Sequence, residues 1–275
     1  MGFAVTHKHP EPAALSMSQF GDLVYDRALL LHGVKRNEVL TLAEVEQYGV
    51  DSFGDADYVS IYGLRPREWY RRGIRLLGRT AVECTRDALA DRIGRDLASI
   101  AARMPAMKQA VAIDPFAGSC NTLFWILRHI PNADGVAIES DTEVFELTSR
   151  NFAALGQSIE LLRGDYANLL QERQIPLNRG IVVFVAPPWG SALDEVQGLD
   201  LCRTIPPIPE VIDQIGRQFA NHNILCAVQV YEKICAGSMG VVQAQLDWTE
   251  LCLYEINEKG KNHGILLGTK NWAPR

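Results

Sequence analysis

The sequence lacks the features by which membrane and secreted proteins are recognised. No apolar run approaches the roughly 20 residues that a bilayer-spanning helix requires. Residues 1–16 contain two prolines and several charged side chains where a secretory signal would have an apolar core. We therefore expect a cytoplasmic protein that makes no contact with a membrane.

Metal-ligand spacing is also missing. The six cysteines are scattered without a C-x-x-C pair, and the six histidines share no ligand spacing with them. Several cysteines lie inside apolar runs, which is typical of buried, reduced thiols. We expect no metal site.

Positive charge is scarce, with 27 Lys and Arg against 33 Asp and Glu and a net charge of −6. Nucleic-acid affinity depends on clustered Lys and Arg that displace counterions. The balance favours a small-molecule substrate and argues against a nucleic-acid partner. At 275 residues, 47% apolar and 22% charged, the chain is long enough for one α/β core with an accessory element.

The most informative stretch runs from residue 110 to residue 122. Residues 110–113 form a short continuous apolar run, which indicates a strand buried on both faces of a parallel sheet. Asp114 ends the run, the turn Phe116-Ala117-Gly118 follows, and an amphipathic helix is predicted from Asn121 to Ile130. A strand, a glycine turn and a helix N-terminus form the arrangement that binds nucleotide-like cofactors.

Two further acids follow predicted strands. Glu139 ends the run 135–138, at the spacing expected for an acid that binds ribose hydroxyls. Asp165 and Tyr166 follow the run 159–162, where an acid can reach an adenine amine. Each acid alone is more often a helix cap or a solvated residue than a ligand-binding group. The three acids in order predict one site shaped for adenosine.

A proline-rich motif, Ala186-Pro187-Pro188-Trp189-Gly190, follows the predicted strand 181–184. Its prolines remove backbone donors, so the carbonyls of Ala186 and Pro187 are free to accept hydrogen bonds from an amine. Trp189 offers a flat face for a ring or a cation. It could instead pack in the core, but its place after a strand, on the expected ligand side of the sheet, favours function. We interpret Ala186, Pro187 and Trp189 as the catalytic group, acting by positioning.

The order of these motifs resembles that of the class I S-adenosylmethionine-dependent methyltransferases, and more narrowly the trimethylguanosine synthase (RNA cap guanine-N2 methyltransferase) family. Residues 70–76 and the segment to residue 98 resemble the part of that family that leads into its fold. The chain departs from the family at Ser119-Cys120, at Ala186 in place of serine, and at Cys84-Thr85-Arg86 in place of threonine-proline-glutamate. The cofactor class therefore carries over better than the substrate.

The resemblance implies a Rossmann-like seven-stranded α/β sheet with S-adenosylmethionine as cofactor or substrate. It implies that the cofactor is bound by residues of the three predicted strand ends: Asp114, Phe116, Ala117, Gly118, Asn121, Glu139, Asp165 and Tyr166. We divide the chain into residues 1–80, an N-terminal helical and aromatic lid, and residues 81–275, the cofactor-binding domain.

Within the lid, residues 1–15 are expected to be an extended arm, and helices are expected over 16–32 and after Thr41, with Glu44 completing a capping box. The stretch 51–70 is expected to be irregular. Its aromatic residues Tyr58, Tyr62 and Trp69 are candidates to cover a sulfonium by cation–π attraction, or simply to pack the lid onto the core.

The remaining pattern alternates helices and strands. Helices are predicted over 85–104, 141–155, 166–173 and 208–219, and strands over 224–230, 248–256 and 264–269, with a hairpin turn at 257–260. Residues 198–207 form the loop after the proline motif, in which Arg203 is a candidate for substrate selection.

Several functions remain open from the sequence. The first is methylation of a small amine of specialised metabolism. The second resembles the azetidine-2-carboxylate synthases, in which the amine of S-adenosylmethionine attacks its own γ-carbon and releases methylthioadenosine. The third is RNA cap guanine methylation, disfavoured by the charge. A non-enzymatic partner subunit with this fold is the fourth.

Overall fold

A computed structural model describes residues 23–194, 196–255 and 263–274. Its main sheet contains β1 (Val111–Asp114), β2 (Asp134–Glu139), β3 (Glu160–Arg163), β4 (Ile181–Val185), β7 (Ile224–Tyr231), β8 (Trp248–Tyr254) and β9 (His263–Lys270). The strand order across this sheet is β3-β2-β1-β4-β7-β9-β8. The first five strands in that order run parallel, whereas β9 is antiparallel to both β7 and β8. A separate two-stranded hairpin joins β5 (Leu193–Asp194) to β6 (Gly198–Leu199).

The helices of the described residues lie before and between the strands. They are α1 (Leu42–Phe53), α2 (Pro66–Arg71), α3 (Gly78–Glu83), α4 (Asp87–Ala101), α5 (Asn121–His129), α6 (Thr142–Leu155), α7 (Tyr166–Gln171), α8 (Ile208–Gln218) and α9 (Ala236–Gln243). A π-helical turn spans Ala28–His32, and 3₁₀ turns span Pro105–Gln109 and Gly190–Ala192.

Each face of the sheet has its own core. Leu97 of α4, Leu123 of α5 and Phe152 of α6 pack with Ala112 and Leu225 of the sheet in one cluster. On the opposite face, α7 and α8 contribute to a second cluster that includes strand residues such as Ile113 and Val183. Because successive side chains of a strand point to opposite faces, the fully buried strands β1 and β4 contribute side chains to both cores.

The described part of the N-terminal segment packs on the first of these cores. Tyr48, Ile61 and Trp69 belong to the same cluster as strand residues of β1 and β4. Where the structure describes it, the segment 1–80 therefore shares its hydrophobic core with the sheet, and its division from residues 81–275 remains a prediction.

The predicted strands are confirmed to within a few residues at each end. The helices expected after Thr41 and over 85–104, 141–155, 166–173 and 208–219 are also present, and the capping box forms as expected, with the Glu44 N–H bound to Thr41 Oγ1 and Glu44 Oε2 accepting from the Thr41 N–H. The six cysteines are unpaired. Two are buried and four are half-buried, so the expected burial is confirmed only in part.

Two expectations for the N-terminal segment are wrong. The stretch 51–70 is not irregular throughout, because α1 continues to Phe53 and α2 begins at Pro66. At six residues, α2 is too short to show a helical period in the sequence. Residues 23–25, inside the helix expected over 16–32, are not helical. The arm 1–15, residues 16–22 and the turn 257–260 lie outside the described residues.

Within the described ranges, no helix combines the length and apolar character needed to cross a membrane.

Candidate functional site

The glycine turn after β1 and the proline motif after β4 lie side by side, at the point where the strand order changes direction. The chain proceeds from β1 to β2 and β3 on one side, and β4 lies on the other side of β1. Asp114 is the last residue of β1, and Ala186 directly follows β4. In open α/β sheets such a point leaves a crevice outside the carboxyl ends of the strands, where ligands bind.

The turn after β1 leaves room for a ligand. Gly118 has φ +52°, and a Cβ built on it would meet no heavy atom within 4 Å. Its N–H donates to Glu139 Oε2 at 2.9 Å, while Thr148 Oγ1 donates to its carbonyl at 2.7 Å. The Ala117 N–H donates to the Ile138 carbonyl at 2.9 Å. The turn is thus held by β2 and α6, with its open side toward the crevice.

Asp114 and Glu139 place two carboxyl groups in this crevice. Asp114 is 2% exposed, and its Oδ1 accepts from the Phe116 N–H at 3.1 Å. Burial raises the pKa of the Asp114 carboxyl to about 7, despite that hydrogen bond. Burial also raises the pKa of Glu139, against the backbone hydrogen bonds from Asp141 and Gly118. A desolvated acidic pair suits a ligand that carries positive charge.

The third strand end adds an aromatic pair. Asp165 is exposed and caps α7, accepting from the Asn168 N–H at 3.2 Å. The ring of Tyr166 lies 5.0 Å from the ring of Phe116, centroid to centroid. Both rings are half-buried. The structure therefore brings the ends of β1 and β3 together across β2.

The proline motif leaves acceptors at the end of β4. Pro187 is buried, whereas Ala186 and Trp189 are half-buried. The carbonyls of Ala186 and Pro187 receive no hydrogen bond from any described residue, while those of Pro188 and Trp189 accept from the Ile205 and Ala192 N–H groups. The Trp189 ring makes an edge contact with Tyr231, with centroids 6.4 Å apart.

The aromatic candidates of the N-terminal segment have separate locations. Trp69 is fully buried and donates from Nε1 to the Val59 carbonyl, so it is a core residue. Tyr62 is 3% exposed, and its hydroxyl donates to the Ser119 carbonyl. Tyr62 therefore stabilises the turn after β1 through this hydrogen bond. Burial raises the pKa of its hydroxyl. Neither ring has a free face for a ligand.

Tyr58 is half-buried, and its ring is already engaged by protein groups. It stacks on Phe53 at 3.4 Å, and the Arg86 guanidinium carbon lies 3.7 Å from its centroid. The cation against this ring is therefore a side chain of the protein.

Asn121 connects the N-terminal segment to the sheet. Its Oδ1 accepts from the Tyr62 N–H at 2.7 Å, and its Nδ2 donates to the Thr85 carbonyl at 2.7 Å and to Asp87 Oδ1 at 3.1 Å. At 1% exposure, this side chain is fully committed to protein partners. The structure does not direct it into the crevice.

Arg203 lies in the loop after the hairpin. Its side chain is exposed, and it makes no ion pair with a described residue. The loop is tied back to the proline motif by the bond from the Ile205 N–H to the Pro188 carbonyl at 3.4 Å. Arg203 thus lies near the rim of the crevice.

Two residues at the crevice were missed in the sequence. Thr85 Oγ1 donates to Gln229 Oε1 at 3.2 Å, which joins the start of α4 to β7. The only sequence signal was the polar Gln229 within the apolar run 224–230.

Comparison with known proteins gives structural neighbours alone. No family profile matches the chain, and no curated protein matches it in sequence. A protein from Listeria monocytogenes assigned to the class I S-adenosylmethionine-dependent methyltransferases is 18% identical with a TM-score of 0.48, over 67% of this chain and 62% of that one. The chain thus matches less than two thirds of that protein.

Two further neighbours are equally distant. The precorrin-6y C5,15-methyltransferase of Geobacter metallireducens is 14% identical with a TM-score of 0.44, over 68% of this chain and 89% of that one. The METTL16 methyltransferase domain is 10% identical with a TM-score of 0.48, over 68% and 70%. At these values the similarity says nothing about the reaction. The seven-stranded sheet, with its antiparallel β9 between β7 and β8, is that of the Rossmann-like class I methyltransferase fold.

Proposed function

We propose that this chain is an S-adenosylmethionine-dependent enzyme that acts at an amine nitrogen of a small molecule. The observation that carries the proposal is the pair of carbonyls at Ala186 and Pro187, which no described residue occupies. They lie at the end of β4, next to the glycine turn after β1. Two fixed acceptors beside a cofactor crevice are what an amine nucleophile needs for orientation.

The residues of the crevice fit this cofactor. Glu139 would hold the ribose hydroxyls, and Asp165 would hold the adenine amine, next to the Phe116 and Tyr166 rings. The open side of Gly118 admits the chain of the ligand. The buried carboxyl of Asp114 favours the positively charged methionine end.

The bound cofactor supplies a carbon atom activated by its positively charged sulfur. The Ala186 and Pro187 carbonyls accept N–H bonds from the amine and so direct its lone pair. In the proposed reaction the amine nitrogen would bond to that carbon, the electron pair of the broken C–S bond would stay on the sulfur, and the amine would lose a proton to solvent. The motif offers no side chain to act as a base, so its contribution is orientation.

A second reaction is supported by the adjacency of β1 and β4. Because the acceptors lie directly beside the turn that would hold the methionine end, they can bind the amine of S-adenosylmethionine itself. Attack on its own γ-carbon would give azetidine-2-carboxylate and methylthioadenosine. RNA cap methylation remains a third alternative, against which the net charge of −6 counts.

The test is to incubate the pure protein with S-adenosylmethionine, alone and with a mixture of amines, and to identify the adenosine product by mass spectrometry. S-adenosylhomocysteine that forms only with an amine supports methyl transfer, whereas methylthioadenosine without an amine supports the cyclisation. Trp189→Ala should lower turnover at least tenfold, whereas Trp248→Ala, on the edge strand β8, should not. A wild-type protein that binds no S-adenosylhomocysteine in calorimetry would refute the proposed function.

A further inference from the structure

Gln229 is a polar residue in an apolar strand beside the proposed amine site. In β7, only Gln229 and Tyr231 are not buried. The parallel pairing of β4 with β7 places Val185 beside Val228. The next step along both strands brings Ala186 beside Gln229.

The two neighbours face the same side of the sheet. Phe184 and Ala227 both belong to the core beneath α4 and α5, and Ala186 packs against that core. Because strand side chains alternate, Gln229 projects on the same face as Ala227 and Ala186. Its carboxamide therefore lies at the wall of the crevice next to the free carbonyls.

The carboxamide of Gln229 is fixed by a hydrogen bond from Thr85, just before α4. The Thr85 hydroxyl donates to Gln229 Oε1 at 3.2 Å, and the Thr85 carbonyl accepts from Asn121 Nδ2 at 2.7 Å. Asn121 follows β1, Gln229 is on β7, and β4 lies between these strands. Thr85 thus bridges across the carboxyl end of β4, and it is only 9% exposed.

The orientation leaves a hydrogen-bond donor toward the crevice. With Oε1 bound to Thr85, Gln229 presents the two N–H groups of Nε2, which donate to none of the described residues. The adjoining carbonyls are acceptors only. One wall of the site therefore offers acceptors for an amine and, next to them, a donor for an oxygen atom.

We propose that Gln229 binds a carboxylate oxygen adjacent to the reacting amine, so that the molecule whose nitrogen reacts is an amino acid. Thr85 is the positioning residue that fixes the carboxamide. This inference rests on the proposed function. The carboxylate can belong to S-adenosylmethionine itself or to a separate amino acid, and both present the same chemistry to Gln229.

The experiment compares wild type, Gln229→Ala and the control Gln243→Ala, which removes an exposed glutamine of α9. Calorimetry measures the affinity for S-adenosylmethionine and for its decarboxylated form, which lacks the carboxylate. In a second arm, ligand-observed NMR measures binding of the twenty common amino acids to the protein saturated with S-adenosylhomocysteine.

If the cofactor supplies the carboxylate, wild type and Gln243→Ala prefer S-adenosylmethionine over the decarboxylated form by about tenfold or more, and Gln229→Ala loses that preference. If a second molecule supplies it, an amino acid binds to wild type and not to Gln229→Ala. Equal behaviour of wild type and Gln229→Ala in both arms overturns the inference. Failure of wild type to bind S-adenosylhomocysteine would instead refute the proposed function.

Thr85 provides a second pair of variants should Gln229→Ala fold poorly. Thr85→Val keeps the shape of the side chain but removes the hydroxyl, so it should reproduce most of the loss of preference. Thr85→Ser keeps the hydroxyl and should retain the preference. Identical affinities in these two variants would contradict the positioning role.

Discussion

At the scale of single residues, the crevice contains two carboxyl groups whose ionised forms are disfavoured by burial. Burial raises the pKa of the Asp114 and Glu139 carboxyl groups. Burial also raises the pKa of the nearby Cys120 thiol, and the two carboxylates raise it further. The pKa of Glu83 is raised chiefly by burial, to which Glu139 adds. A protein rarely keeps desolvated acids together for stability alone, so their arrangement points to ligand binding.

Glu139→Ala should weaken the binding of S-adenosylhomocysteine at least tenfold, or about 1.4 kcal/mol, because the ribose hydroxyls would lose their acceptor. Isothermal titration calorimetry measures the change. Glu146→Ala, which removes an exposed acid of α6, is the control. An unchanged affinity in Glu139→Ala would show that the ribose is not bound there.

Asp114 predicts a pH dependence of stability. Since folding raises its pKa from an ordinary value near 4 to about 7, the folded protein holds an extra proton between these values. Its contribution to the free energy of unfolding therefore falls as the pH rises from about 4 to about 7. Asp114→Asn removes the ionisable group and with it this pH dependence. The free energy of unfolding of the variant, relative to that of wild type, should therefore be at least ~1 kcal/mol higher at pH 8 than at pH 5.

Urea unfolding at the two pH values measures this difference. The control is Asp165→Asn, which removes an exposed carboxyl on the same edge of the sheet. A constant difference between Asp114→Asn and wild type would mean that Asp114 is ionised throughout.

At the scale of elements, the start of α4 connects parts of the chain far apart in sequence. Asn121 at the start of α5 binds the Tyr62 N–H, the Thr85 carbonyl and Asp87, while Trp125 Nε1 and the Gly63 N–H also donate to Asp87. These bonds fix the N-terminal segment over the carboxyl ends of the strands. They explain why Asn121, expected at the cofactor, serves the scaffold.

Asn121→Ala should destabilise the protein by about 2–4 kcal/mol, because it leaves the buried Tyr62 N–H and Thr85 carbonyl without partners. Urea unfolding measures the loss, with the exposed Asn168→Ala as control. If cofactor affinity fell sharply while stability stayed the same, Asn121 would be a ligand residue as the sequence suggested.

At the scale of the whole molecule, the N-terminal segment and the sheet share one core. Tyr48 and Trp69 pack in the cluster that contains Ala112 of β1 and Leu267 of β9. A segment that buries its apolar residues against another part of the chain, and has no core of its own, has little independent stability. Among the described residues, the N-terminal segment and the sheet therefore depend on each other for stability.

Unfolding should accordingly be a single cooperative transition, in which tryptophan fluorescence and far-ultraviolet circular dichroism change at the same urea concentration. Because the other four tryptophans lie in residues 81–275, the measurement uses a variant in which those four are replaced by Phe, so that Trp69 alone reports on the N-terminal segment. The dichroism reports on the helices of the whole chain. Transitions separated by more than the error of the midpoints would indicate that residues 1–80 unfold independently, as a two-domain division implies.

The predictability of the site differs from residue to residue. The sequence makes Asp114, Gly118 and Glu139 candidates because each ends or follows an apolar run, and the parallel sheet gathers such ends at one edge. For Trp69 and Tyr62 the sequence leaves open a lid role or core packing, because an aromatic-rich stretch has the same composition whether it packs inward or faces a ligand. Only burial distinguishes the two cases.

The sequence by itself determined the α/β alternation, the parallel core and the order of the strand ends, because these depend on local hydrophobic period and turn residues. The tertiary structure alone decided that Asn121 binds the scaffold, that Arg86 covers Tyr58, and that Thr85 meets Gln229 across β4. Such contacts join residues up to 144 positions apart. No local pattern encodes them, since they arise only when the packed sheet brings distant segments within hydrogen-bonding distance.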